Sequence, residues 1–292
     1  MKQWLRTVWR YIRAVTEYFR DGNGVQHAAT IAYFGLLSVV PFIILVATIV
    51  TKLTDGNPFD DGGATPLEQT LESMEVALPG IQTHASELFQ SFANLDTSLN
   101  VVSIVILLFG ASAGFNAMQS GVNAILHTRK SRHFLLVRLV FAGVVAVTAG
   151  SIFLWQVICS WVSTWMSAAS VQIPPWLDEG GWLFQLLGMA FVAVGYYLLL
   201  KVLATQRYAR AYRWVGAFSF AILFRVARFG LDTYMSHVTT MELIYGGAVA
   251  FVGLILWLYI ASVILLVSSA IVRATANLMK GQFSDPAPSK TV

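Results

Sequence analysis

The sequence has unusually little charge. Only 12% of its 292 residues are Asp, Glu, Lys or Arg, whereas 57% are hydrophobic. A soluble domain carries roughly 25% charged residues, and the mean hydropathy of +0.66 is far above the soluble range. Because the apolar residues also occur in long blocks, the composition excludes an ordinary soluble domain and predicts a membrane protein with several spans.

The chain is equally poor in the residues and motifs of enzymes. Its single cysteine, Cys159, excludes a disulfide within the chain and a CxxC zinc or redox site. It contains no P-loop, GxGxxG, GxSxG or HExxH motif, and its five histidines are scattered. We therefore predict no catalytic residue, no metal and no cofactor, and we expect a protein that is not an enzyme.

Apolar segments long enough to cross a bilayer follow one another along the chain. Each reaches or exceeds the roughly 20 residues that a transmembrane helix needs. The segments are 28–53, 99–126, 139–166, 182–203, 214–237 and 245–270. They predict an all-α integral membrane protein whose transmembrane domain, residues 28–270, has six helices.

Basic residues are missing from alternate loops. The loops near 54–98, 167–181 and 238–244 contain no Lys or Arg, whereas 16 of the 19 basic residues lie in or beside the other extramembrane segments. The positive-inside rule then places both termini in the cytoplasm. This rule also accounts for the basic surface, so we expect no nucleic-acid partner.

The extramembrane segments differ in character. Residues 1–27 form a cytoplasmic region in which aromatic and basic residues alternate at helical spacing, which is typical of an amphipathic helix. Such a helix either lies at the membrane interface or packs on the bundle, and both alternatives stay open. The cytoplasmic tail, 271–292, is predicted to be partly disordered, because its end is rich in Pro, Ser and Gly.

The large outer loop, 54–98, has eight acidic and no basic residues. The sequence Thr65-Pro66-Leu67-Glu68 is typical of a helix start, and Pro79-Gly80 divides the region into two short amphipathic helices. Its carboxylates lack the spacing of a calcium loop, so a solvated acidic surface is favoured. This surface could dock a protein partner.

Charged residues within a predicted span are the best indicators of function. Arg225, Arg228 and Asp232 share one stripe of the fifth segment, and Arg225 lies about 16 Å from Trp214 at ~1.5 Å per residue. Arg228 and Asp232 can pair along the helix. The stripe either binds an anionic group such as a phosphate, or fixes helix packing as a polar clamp.

A second polar stripe follows the second segment. Its members are Ser112, Asn116, Gln119 and Asn123, at spacings of four, three and four. These side chains either form hydrogen bonds between helices or line a wet cavity, and both interpretations stay open.

Several short motifs resemble the YihY/BrkB family of bacterial inner-membrane proteins. The first is the opening Ala28-Ala29-Thr30-Ile31-Ala32-Tyr33-Phe34, followed by Leu37-Ser38 and Pro41-Phe42. The others are Asn116 and Asn123; Arg132, Phe134 and Arg138; Trp214-Val215-Gly216-Ala217; Tyr245-Gly246; and Trp257-Leu258-Tyr259. The resemblance covers nearly the whole chain, and it implies that Ala32, Tyr33, Ser38, Pro41, Gly216, Tyr245, Gly246, Trp257 and Tyr259 have structural roles. Where the family commonly has Gly-Ala-Glu, this chain has Ser268-Ser269-Ala270.

The resemblance implies a multipass envelope protein but no settled activity. Family members have been labelled ribonuclease BN or virulence factor, yet the sequence offers no metal-ligand cluster that could activate water for RNA cleavage. Our first hypothesis is a transporter or flippase for an anionic lipid or lipid-linked substrate, with membrane lipids as its partners. The alternative is a non-catalytic scaffold that binds an envelope partner through the 54–98 loop. The oligomeric state does not follow from the sequence.

Overall fold

The computed structural model describes residues 2–53, 97–128, 182–204, 208–245 and 248–279, and these are helical apart from short turns. The helices are α1 (Lys2–Asp21), α2 (Gly24–Leu53), α3 (Thr97–Ile125), α4 (Trp182–Leu203), α5 (Arg210–Tyr245) and α6 (Ala248–Met279). No strand occurs in these ranges, so an all-helical protein is confirmed for the part of the chain that the structure describes.

Five of the six predicted transmembrane segments coincide with helices, namely α2 to α6. The third segment, 139–166, lies outside the described residues, as do almost all of the outer loop and residues 280–292. By length and composition, two described stretches could cross a membrane, Arg210–Tyr234 in α5 and Val252–Met279 in α6, and Gly188–Leu203 is a shorter apolar helix. The count of six spans and their orientation therefore stay predictions.

Helix α6 is the centre of the described bundle. It packs against α5, α2 and α1, while α2 also packs along α3, and α4 packs on α5. One apolar core joins these helices, with Phe115, Val122, Tyr196, Leu200 and Leu266 among its buried members. The bundle is therefore closed by contacts between distant parts of the chain.

Small residues allow α2 and α3 to approach closely. A Cβ atom on Gly110 would lie 2.5 Å from the Ser38 hydroxyl oxygen, and one on Gly121 would lie 3.0 Å from the Cβ of His27. Glycine at these two positions of α3 therefore lets the two helices approach closely. Helix α2 continues through Pro41 to Leu53.

Helix α1 turns one face to the bundle and the other outward. The Tyr11 hydroxyl lies 2.9 Å from the Thr275 hydroxyl, and the Asn277 amide donates to the Tyr18 hydroxyl at 2.9 Å, so α1 is attached to the end of α6. On the opposite face, Trp9 is exposed. The helix therefore packs on the bundle through one face, and the interpretation of residues 1–27 as a cytoplasmic amphipathic interfacial helix stays a prediction for its remaining face.

The last helix extends beyond its predicted end at 270. It continues to Met279 because Val272, Ala274 and Ala276 remain buried against the bundle. Hydropathy alone marks the limit of the apolar run, whereas packing keeps the following two turns helical. The first part of the predicted 271–292 tail is therefore ordered helix.

Candidate functional site

The charged stripe of α5 lies in a stretch that could span a membrane. Arg225 is exposed, and it is nine residues from Tyr234, the nearer end of the stretch Arg210–Tyr234. This separation corresponds to about 14 Å along the helix axis at 1.5 Å per residue. A helix that crosses a hydrocarbon layer of ~30 Å with this stretch would place Arg225 near the middle of the layer.

Arg228 and Asp232 form an ion pair along α5. The Nε atom of Arg228 lies 3.9 Å from Oδ2 of Asp232, and the Asp232 side chain is the more exposed of the two. This is the pairing that the i, i+4 spacing predicts. Arg228 and Asp232 thus compensate each other's charge along the helix.

An apolar surface borders the charged stripe. Ile222, Val226 and Phe229 are exposed, the last with 73% of its surface. They lie at i−3, i+1 and i+4 from Arg225, so they occupy the adjoining outward face of the same two helical turns. A cation and a broad apolar surface are thereby placed side by side.

The polar stripe of α3 does not join the charged stripe of α5. Asn116 is exposed and Gln119 is half-buried. The amide of Asn123 donates to the carbonyl oxygen of Leu203 at 3.2 Å, which links α3 to the end of α4. Helices α3 and α5 are not a main packed pair among the described helices, and the bond of Asn123 is a hydrogen bond between helices, one of the two roles predicted for this stripe.

A cluster that the sequence did not reveal lies where the ends of α3 and α6 meet. The guanidinium of Arg273 donates to the carbonyl oxygen of Ile125 at 2.8 Å and lies 2.8 Å from Nδ1 of His127. It also lies 4.0 Å from the centre of the Tyr18 ring of α1. We call Arg273, Tyr18, Ile125, His127 and Tyr208 the Arg273 junction.

Electrostatics explain the position of Arg273. The carboxyl end of a helix carries partial negative charge and unpaired carbonyl groups, which an arginine can satisfy. The Tyr208 hydroxyl donates to the next carbonyl, that of Leu126, at 3.3 Å. Burial raises the pKa of Tyr208; the charge of Arg273 opposes this shift, and Tyr18 adds to it. Tyr208 therefore stays protonated as a donor.

Sequence reasoning counted Arg273 only as part of a basic tail. A weak signal was present, because a lone arginine in an otherwise apolar helix needs a polar partner. The partner could not be read from the sequence, since Ile125 is 148 residues away. The positive φ of His127, 52°, shows that α3 ends in a left-handed residue, which sequence patterns did not predict either.

Buried hydroxyl groups mark the contact between α4 and α6. The hydroxyls of Tyr196 and Ser269 lie 3.1 Å apart, and Ser269 also donates to the Leu265 carbonyl at 3.0 Å. Ser268 is completely buried, and its hydroxyl has no hydrogen-bond partner among the described residues. Ser268 and Ser269 are thus neutral core residues, and Ala270, which stands where the family resemblance suggests a carboxylate, is completely buried as well.

The residues of the family motifs are found mainly at helix contacts. A Cβ atom on Gly216 would lie 2.3 Å from Cγ2 of Val272, so α5 and α6 touch at this glycine. Trp257 is buried and contacts the Phe224 ring edge-on at 5.0 Å. Ala32 is also buried and Tyr259 packs on the core, whereas Tyr33 is exposed. Tyr245 ends α5, and Gly246 lies outside the described residues.

No group of three or more His, Cys, Asp or Glu side chains that could hold a metal ion occurs within the described ranges. The polar groups that do converge, at the Arg273 junction and at Tyr196, bind backbone carbonyls or one another. The outward-facing charge of α5 is therefore the strongest candidate for a binding function.

Comparisons with known proteins agree on one family. A family model described as virulence factor BrkB matches residues 15–291. A UPF0761 membrane protein of Alkalilimnicola ehrlichii is 26% identical over 94% of this chain, which spans 60% of the length of that relative. UPF0761 membrane proteins of Alteromonas mediterranea and Tolumonas auensis are 24% and 27% identical, over 93% and 88% of this chain and 89% and 81% of their own lengths. No solved structure matches.

Proposed function

The chain belongs to the BrkB family of membrane proteins, and we propose that it is a transporter or flippase-like protein for an anionic lipid or lipid-linked substrate of the bacterial inner membrane. The observation that carries this proposal is the exposed Arg225 at mid-depth of a stretch long enough to span the bilayer. We assign it no catalytic reaction.

An arginine inside a bilayer has a free-energy cost that must be offset. An arginine at the centre of a spanning helix costs about 2.5–3.5 kcal/mol on insertion scales and more in simulations, so it is retained where it faces protein, water or a ligand. Arg225 is exposed on α5, and Arg228 pairs with Asp232 on the same helix. The two arginines of the stripe favour an anion, and the planar fork of arginine suits phosphate.

The apolar surface beside Arg225 favours a lipid over a soluble anion. Ile222, Val226 and Phe229 offer apolar area along the same turns. An amphiphile with a phosphate headgroup could place its headgroup at the guanidinium while its chains stay in contact with these side chains or with the bilayer. A soluble anion would gain nothing from this surface.

The proposal retains the predicted orientation, with both termini in the cytoplasm. Its support is the distribution of Lys and Arg, which are absent from the loops near 54–98, 167–181 and 238–244. An anion entering from the basic side would approach Arg225 along a favourable potential.

A scaffold is the second candidate, and a specific observation favours it. Asn123 and the pair of Tyr196 and Ser269 show that polar side chains in this bundle serve packing. If the charged stripe did the same, the protein would act through a docked envelope partner, and the acidic 54–98 loop would be the surface that binds it.

Lipid translocation in proteoliposomes separates the two candidates. We expect wild-type protein to move a headgroup-labelled anionic lipid between leaflets, Arg225→Leu to lose this activity, and Arg225→Lys to retain part of it. Arg210→Leu is the matched control, because Arg210 is an exposed arginine at the beginning of the same helix. Equal translocation by wild type and Arg225→Leu would refute the role of Arg225, and absence of translocation in both would favour the scaffold.

A further inference from the structure

The outward face of α1 is a second exposed surface, and it takes no part in the transport proposed for Arg225. We propose that this face binds the anionic surface of the membrane, with arginines at the headgroups and Trp9 and Ile12 inserted among them. The site is separate from Arg225, and it would exist even if the protein transported nothing.

The structure first shows which side of α1 is free. Ala14 is buried, and Tyr11 and Tyr18 are tied to α6 by the hydroxyl contacts with Thr275 and Asn277. The inner face is therefore committed to the bundle. Only the outward face can meet a partner.

The outward face combines basic and apolar residues in one pattern. Arg6, Trp9, Arg13 and Arg20 follow one another at spacings of three, four and seven, so they share a single stripe, and all four are exposed. Ile12, one turn from Trp9, is 49% exposed. Two exposed apolar side chains among arginines are typical of a helix that lies at a membrane interface.

Charge complementarity identifies the partner as an anionic leaflet. Residues 2–16 contain four basic and no acidic residues. Glu17 pairs with Arg13, at 2.9 Å, and Asp21 lies 3.9 Å from Arg20; both arginines remain exposed despite these neighbours. Helix α1 thus keeps an excess of positive charge, with five basic residues against two acidic ones in 2–21.

The position of α1 in the fold agrees with this partner. Its contacts on α6, at Ile271, Thr275 and Asn277, lie in the last turns of Val252–Met279, a stretch long enough to span the membrane. A helix attached at the end of a spanning helix is at the level of the headgroups. Tryptophan prefers this level, because its ring is apolar and its N–H needs a polar partner.

The test follows the environment of position 9 in the full-length protein. Trp9→Cys in a Cys159→Ser background gives one thiol for a polarity-sensitive fluorophore, because the chain has a single cysteine. The labelled protein is placed in nanodiscs of phosphatidylcholine alone or with phosphatidylglycerol. We expect the anionic discs to shift the emission to the blue, to protect the label from aqueous iodide, and to expose it to quenching by nitroxide lipids.

Charge variants show whether the arginines cause this protection. Each basic residue near an anionic membrane surface strengthens the association of a helix with that surface by about fivefold. The double variant Arg6→Gln with Arg13→Gln should therefore weaken the association of α1 with the anionic leaflet by roughly 25-fold. The matched control removes two exposed basic residues outside α1, by Lys201→Gln with Arg210→Gln, and should leave the label protected. A normal gel-filtration profile for each variant confirms that the bundle is intact.

Three results would overturn the proposal. The first is equal access of iodide to position 9 in both kinds of disc, which would show that anionic lipid does not hold this face. The second is persistent protection after loss of Arg6 and Arg13. The third is protection in phosphatidylcholine discs only when RNA is added, which would assign the face to a nucleic acid instead.

Discussion

The contact between α5 and α6 at Gly216 allows a quantitative test of the packing. Substitution by alanine would place a Cβ atom 2.3 Å from Cγ2 of Val272 and 3.3 Å from the carbonyl oxygen of Ser268. Val272 is completely buried, and its branched side chain has one strongly preferred rotamer in a helix. The clash can therefore be relieved only by separating the two helices or by moving Val272 out of its preferred rotamer.

The magnitude follows from two opposing effects. Overpacking of a core by one methyl group costs about 1–3 kcal/mol, and replacing glycine by alanine within a helix gains roughly 0.5–1 kcal/mol. Gly230 is the matched control, because it lies in the same helix and a Cβ atom there would meet nothing within 4 Å. Gly230→Ala should stabilise the protein, because it has the helix-propensity gain without the overpacking cost. The free energies of unfolding of the two variants should therefore differ by about 1–3 kcal/mol, the cost of overpacking.

Thermal unfolding of the purified protein in detergent, followed by size-exclusion chromatography after heating, measures this difference. We expect Gly216→Ala to unfold several degrees below Gly230→Ala. Val272→Ala removes the clashing atom, so the double variant with Gly216→Ala should be more stable than the sum of the single effects predicts. If the effects of Gly216→Ala and Val272→Ala were strictly additive, or if Gly216→Ala and Gly230→Ala were equally stable, α5 and α6 would not approach closely at Gly216.

Three further predictions concern hydrogen bonds between helices. Arg273→Met should destabilise the protein by ~2–4 kcal/mol in the same thermal assay, because it removes charged donation to the Ile125 carbonyl and stacking on an aromatic ring; a change below 0.5 kcal/mol would contradict the junction. Burial raises the pKa of Tyr208, so the contribution of its hydroxyl to the stability of the folded protein should be complete below pH ~10 and should fall as the pH rises further. In a pH series of melting curves, Tyr208→Phe should flatten this fall. Tyr196→Phe should cost about 1 kcal/mol by leaving the buried Ser269 hydroxyl with fewer partners, and the double variant with Ser269→Ala should cost less than the two single effects added together.

Much of the helical architecture could be predicted from composition, because long apolar segments have few alternatives to helix in a bilayer. The helix ends could not. Helix α5 begins at Arg210 and α6 ends at Met279, whereas hydropathy had suggested 214 and 270. These additional turns are polar or mixed in sequence, and they are helical because they continue a hydrogen-bonded chain and pack on neighbouring elements.

In the candidate site, the sequence predicted only the contact between residues that are close together in the chain. The pairing of Arg228 with Asp232 follows from a spacing of four residues on one helix, and the structure has it. Contacts between Asn123 and Leu203, or between Tyr18 and Asn277, join residues that are 80 and 259 positions apart. No periodicity in a single sequence encodes such pairs, since they depend on how whole helices are placed.

The two kinds of arginine in this bundle lead to a criterion for its function. Arg273 is partly buried, is stacked on Tyr18 and donates to the end of α3, so its guanidinium is part of the fold. Arg225 has the opposite setting, exposed beside an apolar surface on a helix that packs through its other face. Loss of Arg273 should therefore lower stability first, whereas loss of Arg225 should lower lipid translocation at nearly unchanged stability. If Arg225→Leu instead unfolded the protein as readily as Arg273→Met, the charged stripe would be a packing clamp, and the transport proposal would lose its foundation.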